Sequence, residues 1–131
     1  MLVDKAFNFA TFIIEKASKL ARKRFNEKLK KLSYKKGYFN LVTNVDHEVE
    51  KLILNELESK YPNHSIVAEE SGIHKKNSDY QWFIDPIDGT TNFAHKYPFF
   101  CISIAFAKDR ELQFGLVKDP FNGELFTARK I

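Results

Sequence analysis

Cysteine is almost missing from this 131-residue chain, which has only Cys101. One thiol cannot close an internal disulfide, so nothing argues for an oxidising compartment. Cys101 sits in the apolar run FFCISIAFA, the setting of a buried inert thiol. No histidine follows it in a triad-like context, which removes a cysteine nucleophile. Long hydrophobic runs are missing too. No stretch approaches the roughly 18 apolar residues of a membrane-spanning helix. The start, MLVDKAFNFATFII, is a poor secretory leader, because Asp4 stands where positive charge belongs and no small-x-small cleavage site follows. A cytoplasmic protein without membrane attachment is the expectation. Glycine and proline are absent before Gly37, so nothing interrupts a long N-terminal helix. No internal repeat, low-complexity tract or linker is present.

Apolar residues make up 44% and charged residues 29%, an ordinary globular balance. Thirteen phenylalanines supply a core. The net charge of +4 comes mostly from the stretch Lys19 to Lys36. Such a run is read as the solvated face of a helix, and nucleic acid is not the expected partner.

Ala6, Phe7, Ala10, Ile13, Ile14, Ala17, Leu20 and Ala21 recur at three and four, predicting a helix from residue 2 to about 33. YKKGYFNLV predicts a turn or short hairpin around Gly37. Thr43 is a good N-cap, and Asp46 three residues on gives a capping-box pair. A second helix follows, with Val45, Val49, Leu52, Ile53 and Leu57 on its buried stripe, stopping before Pro62. HSIVAEE and QWFID read as strands, GIHKKNSDY as an exposed loop without period, and GTTNFAHKYPF as a turn with at most a short helix. FFCISIAFA, ELQFGLV and GELFTAR, split by turn-like KDR and KDPFNG, predict an antiparallel meander. The fold class is therefore α+β, helices layered on a mainly antiparallel sheet.

The chemistry concentrates in WFIDPIDGTTNF. Pro86 and Gly89 allow a turn from which Asp85 and Asp88 both face one pocket, with the Ile87 carbonyl between them. Carboxylates and a carbonyl, without histidine or cysteine, suit Mg²⁺, Mn²⁺ or Ca²⁺ rather than Zn²⁺. If the HSIVAEE strand is a neighbour, Glu69 or Glu70 reaches the same pocket. Gly89, Thr90 and Thr91 follow as small residues whose backbone N–H groups can face an anion. Metal oxygens beside an anion cradle suggest phosphate, and a pair of metals is a known solution for phosphoester hydrolysis. A threonine hydroxyl orients water if an acid holds it, and Asp46 is the candidate. Taken singly, Asp85–Gly89 reads as a turn, Asp46 as a helix cap and Glu69–Glu70 as surface. The case rests on their occurring together at strand ends.

WFIDPIDGTTNF resembles the signature of the inositol monophosphatase family, Mg²⁺-dependent and lithium-sensitive phosphatases. NLVTNVDHEVEKLILNELESKYPNHSIVAEES is similar to that family's region from its LVT-x-x-D to its G-E-E-S motif, and FGLVKDPFNGELFTARK to its following sheet. The resemblance implies Glu69, Asp85, Asp88 and the Ile87 carbonyl as ligands of Mg²⁺, with two or three ions in a complete site. It implies Gly89, Thr90 and Thr91 as phosphate-binding residues. It makes Thr90, held by Asp46, the residue that positions the attacking water together with Glu69, while Glu70 supports the site from behind. Lys35 or Lys36 would stand near the mouth. Ala68 replaces a common glycine and Asn40 a common acid, and neither touches a metal oxygen. The resemblance also implies a homodimer and a small phosphorylated substrate such as inositol monophosphate.

Family members run to about twice this length. Their later W-D-x-A-A/G-type motif, which carries a further metal ligand, has no counterpart here. Residues 1–131 are thus expected to be one domain, the N-terminal half of a layered αβαβα fold, with little phosphatase activity alone and an open sheet edge. The alternatives are a 3′-nucleotidase or sugar bisphosphatase of the same superfamily, or a non-catalytic fragment that binds metal or a partner.

Overall fold

The computed structural model describes residues 2–27, 32–34 and 41–131. It contains helices α1 (Leu2–Phe25), α2 (Asn44–Lys60) and α3 (Thr90–Ala94). A ribbon of β1 (Leu32–Tyr34) and β2 (Leu41–Thr43) is antiparallel. A six-stranded sheet has the order β4–β3–β5–β6–β7–β8, formed by β3 (Ser65–Ala68), β4 (Gly72–His74), β5 (Tyr80–Asp88), β6 (Cys101–Lys108), β7 (Glu111–Lys118) and β8 (Leu125–Arg129). Only β3 and β5 pair in parallel, and the other pairings in this sheet are antiparallel. The expected α+β class and the β6–β7–β8 meander both stand. No described helix is long and apolar enough to cross a membrane.

Both long helices pack on one face of the sheet. The α1 stripe buries Ala6, Ala10, Ile13, Ile14, Ala17 and Ala21, and α2 buries Val45, Val49, Ile53 and Leu57. They meet Trp82 and Ile84 of β5, Ile102, Ile104 and Phe106 of β6, and Phe114 and Leu116 of β7. These sheet residues alternate, as a strand with one buried face requires. The intervening Phe83, Ser103, Ala105 and Val117 lie on the opposite, more open face.

Two local expectations fail. The first helix ends at Phe25 rather than near residue 33, and Leu32–Tyr34 is a strand. The physical stop is tertiary. Phe25 inserts among the rings of Phe93, Phe100 and Phe121, and Lys96 Nζ donates to the carbonyls of Phe25 and Glu27, satisfying acceptors that end every helix. In GIHKKNSDY, Gly72–His74 is an edge strand paired with β3. Ile73 is exposed there, so backbone pairing leaves no hydrophobic period to read. The turn expected at Gly37 and the roles given to Lys35, Lys36 and Asn40 lie outside the described residues.

Candidate metal and phosphate site

A strand has a side-chain period of two, so residues three apart should face opposite sides. Asp85 and Asp88 escape this through a bulge. Asp85 lies opposite Ser103 and Asp88 opposite Cys101, with a register shift between the two pairs. Ser103 and Cys101 are two apart on β6 and share a face, so both aspartates share it too. Pro86 occupies the irregularity, where its missing N–H costs no ladder bond. Ile87 turns inward and is 3% exposed. The proximity of the two acids registers on Cys101, whose thiol is pushed up to about 11 by burial first, then by the charges of Asp88 and Asp85, with Asp119 last. The raised pKa fits the inert thiol that the sequence indicated, but Cys101 is only partly buried rather than fully enclosed.

Glu69 arrives from the parallel neighbour. Ala68 is in register with Ile84, and the Glu69 N–H donates to the Ile84 carbonyl at 3.0 Å, extending that ladder one step. Glu69 and Asp85 line one cavity of about 340 Å³ with Val67, Ala68, Phe83, Ile84, Ser103 and Ala105. A larger cavity of about 580 Å³, lined by Lys75, Lys76, Asp79, Asp109 and Arg110 among others, lies at the opposite end of the strands, away from these acids.

Thr90 and Asp46 meet as the sequence suggested. The Thr90 hydroxyl lies 2.8 Å from Asp46 Oδ2 and 3.1 Å from the Ile87 carbonyl. A hydroxyl has one hydrogen, and the carboxylate is the nearer and charged acceptor. Asp46 is fully buried. Its Oδ1 accepts the Thr43 N–H at 2.9 Å and the Thr43 hydroxyl, while its own N–H donates back to Thr43 Oγ1 at 3.2 Å. The capping box is therefore real, with Thr43 as the N-cap, and Asp46 completes the box through Oδ1 while it anchors Thr90 through Oδ2. Gly89 has φ +106°, and a Cβ there would stand 3.1 Å from Phe100 Cβ and from the Phe99 carbonyl. Only glycine fits this corner without strain. Thr91 is exposed on α3.

Sequence reasoning passed over Glu50. It is 2% exposed, and its two oxygens accept the Glu70 N–H at 2.8 Å and the Ser71 N–H at 2.9 Å. The available signal was spacing, since Glu50 follows Asp46 by four and shares its helix face.

The donors fit Mg²⁺ in kind. They are oxygens only, and Mg²⁺ keeps several waters while taking one or two carboxylates plus substrate phosphate, which matches the Glu69–Asp85 cavity open to solvent. Among the described residues no group of three or more His, Cys, Asp or Glu side chains is assembled for a metal ion. The register sets Asp88 on the face of Asp85, but neither Asp88 nor Ile87 lines the Glu69–Asp85 cavity, so the four expected ligands are not gathered into one cluster.

The inositol monophosphatase family model matches residues 2–131. The chain is 39% identical over 131 residues to an inositol monophosphatase of Dictyostelium discoideum, covering 98% of this chain and 48% of that protein. It is 41% identical over 124 residues to the Nus factor SuhB of Vibrio cholerae, covering 94% and 46%. The crystal structure of the extragenic suppressor protein suhB from Bartonella henselae superposes with a TM-score of 0.89 at 35% identity, over 96% of this chain and 49% of that one. The chain thus spans about half the length of the curated relatives it matches. A bulge that turns two aspartates to one face, a threonine held by a buried helix-cap aspartate, and a match running almost from end to end agree: this chain belongs to the inositol monophosphatase family.

Proposed function

We propose that these residues serve the Mg²⁺-dependent hydrolysis of a phosphate monoester, with inositol monophosphate as substrate. The observation that carries this reading is the Thr90 hydroxyl at 2.8 Å from buried Asp46, at the strand end where Asp85 and Asp88 share a face. With its proton committed to Asp46, the Thr90 oxygen keeps its lone pairs for an incoming water. Glu69 and Thr90 together orient that water, whose oxygen bonds to phosphorus as the ester P–O bond breaks, while the proton it gives up ends on the departing alkoxide, so that phosphate and alcohol are released. Glu69, Asp85, Asp88 and the Ile87 carbonyl would hold Mg²⁺, which supplies water activation and charge neutralisation when bound. The backbone of Gly89, Thr90 and Thr91 would cradle the phosphate. Lithium sensitivity, homodimer formation and residence in the cytoplasm belong to the same proposal.

Mn²⁺ titration of the chain, read by electron paramagnetic resonance, tests the site directly. Binding that Asp85→Asn removes supports the reading, whereas a chain that takes up no Mn²⁺ at millimolar concentration refutes it. Mg²⁺-dependent phosphate release from inositol 1-phosphate, a 3′-nucleotide and a sugar bisphosphate then ranks the substrates. A second reading, a partner-binding role without catalysis, is favoured by the 41% identity to a relative named as a Nus factor. Metal binding without lithium-sensitive phosphate release would select it.

A further inference from the structure

We propose that Glu50 is a positioning residue, which fixes the turn carrying Glu69 so that α2, through Asp46 and Glu50, sets both halves of the site against each other. This rests on the reading of the site as a metal-dependent phosphatase centre.

A carboxylate in a protein interior is costly unless its oxygens are satisfied. Glu50, at 2% exposed, stands well inside α2, beyond the first turn where a helix favours negative charge. Each of its oxygens takes one backbone N–H, from Glu70 at 2.8 Å and Ser71 at 2.9 Å. Those two amides directly follow Glu69. On the other side, the Glu69 N–H is bonded to the Ile84 carbonyl at 3.0 Å. The Glu69 backbone is thus pinned before its side chain by β5 and after it by α2.

The same helix holds Thr90 through Asp46 Oδ2. Asp46 and Glu50 are four residues apart, about 6 Å along the axis, on one helix face. One rigid element therefore grips the 69–71 turn and the 87–90 turn with neighbouring acids. A carboxylate is required at residue 50 because both bonded groups are donors. Glutamine offers a single oxygen and sets its NH₂ against the second N–H.

The test compares the whole chain with Glu50→Gln by Mn²⁺ affinity, by Trp82 emission as a measure of folding, and by amide exchange at Glu70 and Ser71. Positioning predicts Mn²⁺ binding about 10- to 100-fold weaker in a chain whose Trp82 emission is unchanged, with faster exchange at both amides. Unchanged Mn²⁺ affinity in folded Glu50→Gln overturns the proposal, because a purely structural glutamate would lower stability without moving affinity. Should Glu50→Gln not fold, the wild-type chain decides. Added Mg²⁺ must slow exchange at Glu70 and Ser71 more than at β7 amides, and equal effects overturn the idea. A wild-type chain that binds no Mn²⁺ refutes the phosphatase reading, and with it the role of Glu50 towards metal. Exchange at Glu70 and Ser71 in the metal-free chain still reports separately whether Glu50 holds the turn.

Discussion

Replacing Asp46 separates its two duties. Asp46→Ala removes the acceptor of the Thr43 N–H, the Thr43 hydroxyl and the Thr90 hydroxyl at once. The two hydroxyls can rotate, and Thr90 has the Ile87 carbonyl at 3.1 Å as a second acceptor. The Thr43 N–H has no such freedom, and an orphaned buried donor costs about 1–3 kcal/mol. That N–H bond is one half of the capping box, and the other half, from the residue-46 N–H to Thr43 Oγ1, survives the substitution, so the further loss is the charged bond to Thr90, ~1.5 kcal/mol, partly recovered at Ile87. Asp46→Ala is therefore expected to destabilise the chain by about 3 kcal/mol. Asp46→Asn differs in kind. Its oxygen can stay on Thr43, while its NH₂ faces Thr90 and takes the lone pair that should receive water. Stability should fall by only about 1 kcal/mol, but under the proposed function whatever turnover the chain supports should fall on the order of 100-fold. Urea unfolding followed by Trp82 fluorescence gives the stabilities, and Mg²⁺-dependent phosphate release gives turnover. A cycle with Thr90→Val isolates the pair, with an expected coupling of about 1–2 kcal/mol. Coupling below about 0.3 kcal/mol, or equal stability loss in the Ala and Asn variants, would refute the reasoning.

Gly89→Ala forces a Cβ onto left-handed backbone and against Phe100 and Phe99; an expected loss of about 2–4 kcal/mol is checked by its urea midpoint. Phe25→Ala empties a site between the rings of Phe93, Phe100 and Phe121 and should cost about 3–5 kcal/mol, read as a lowered thermal midpoint. His64 supplies the pH dependence: burial lowers its pKa below 6.5, and its Nδ1 accepts the Trp82 indole N–H at 3.1 Å. As pH falls through 6.5 the unfolded chain binds the proton first, so stability is full above that value and declines below it. Urea midpoints that rise on acidification, with His64→Gln behaving identically to wild type, would contradict this.

The long elements were readable because their pattern and their burial obey the same period. Val49, Ile53 and Leu57 repeat on α2 and are all buried, and Thr43 with Asp46 announces the helix start in purely local terms. The C-terminus of α1 was not readable, since Lys96 and the ring cluster around Phe25 come from 68 or more positions later in the chain and leave no local mark. β4 was hidden for a different reason, as an edge strand with exposed Ile73 needs no apolar alternation. Within the site, the acids and threonines stood out by type, and Asp46 with Thr90 was paired correctly. Glu50 was missed because a glutamate on a helix reads as solvated. Only the location of the Glu70 and Ser71 amides reveals it as buried and bonded.

The three-residue spacing of Asp85 and Asp88 holds the deeper lesson. Regular strand geometry would send one of them into the core beside Trp82 and Ile84, where an uncompensated charge is not tolerated. One inserted residue reverses the parity, and the sequence around it makes that insertion inexpensive. Pro86 gives up a ladder bond that the bulge has already broken, Ile87 anchors the deviation by burying its side chain while its carbonyl stays beside Thr90, and Gly89 takes the φ that the exit into α3 demands. The bulge therefore converts a strand end into a face that carries both carboxylates, and the cation of the proposed function would relieve their mutual repulsion. Deleting Pro86 would remove the extra residue and leave Asp85 and Asp88 two apart in regular register, opposite Ser103 and Cys101 and still on one face, so if the bulge serves to set that parity, Mn²⁺ binding should survive the deletion wherever the sheet folds, and its loss would refute the parity argument.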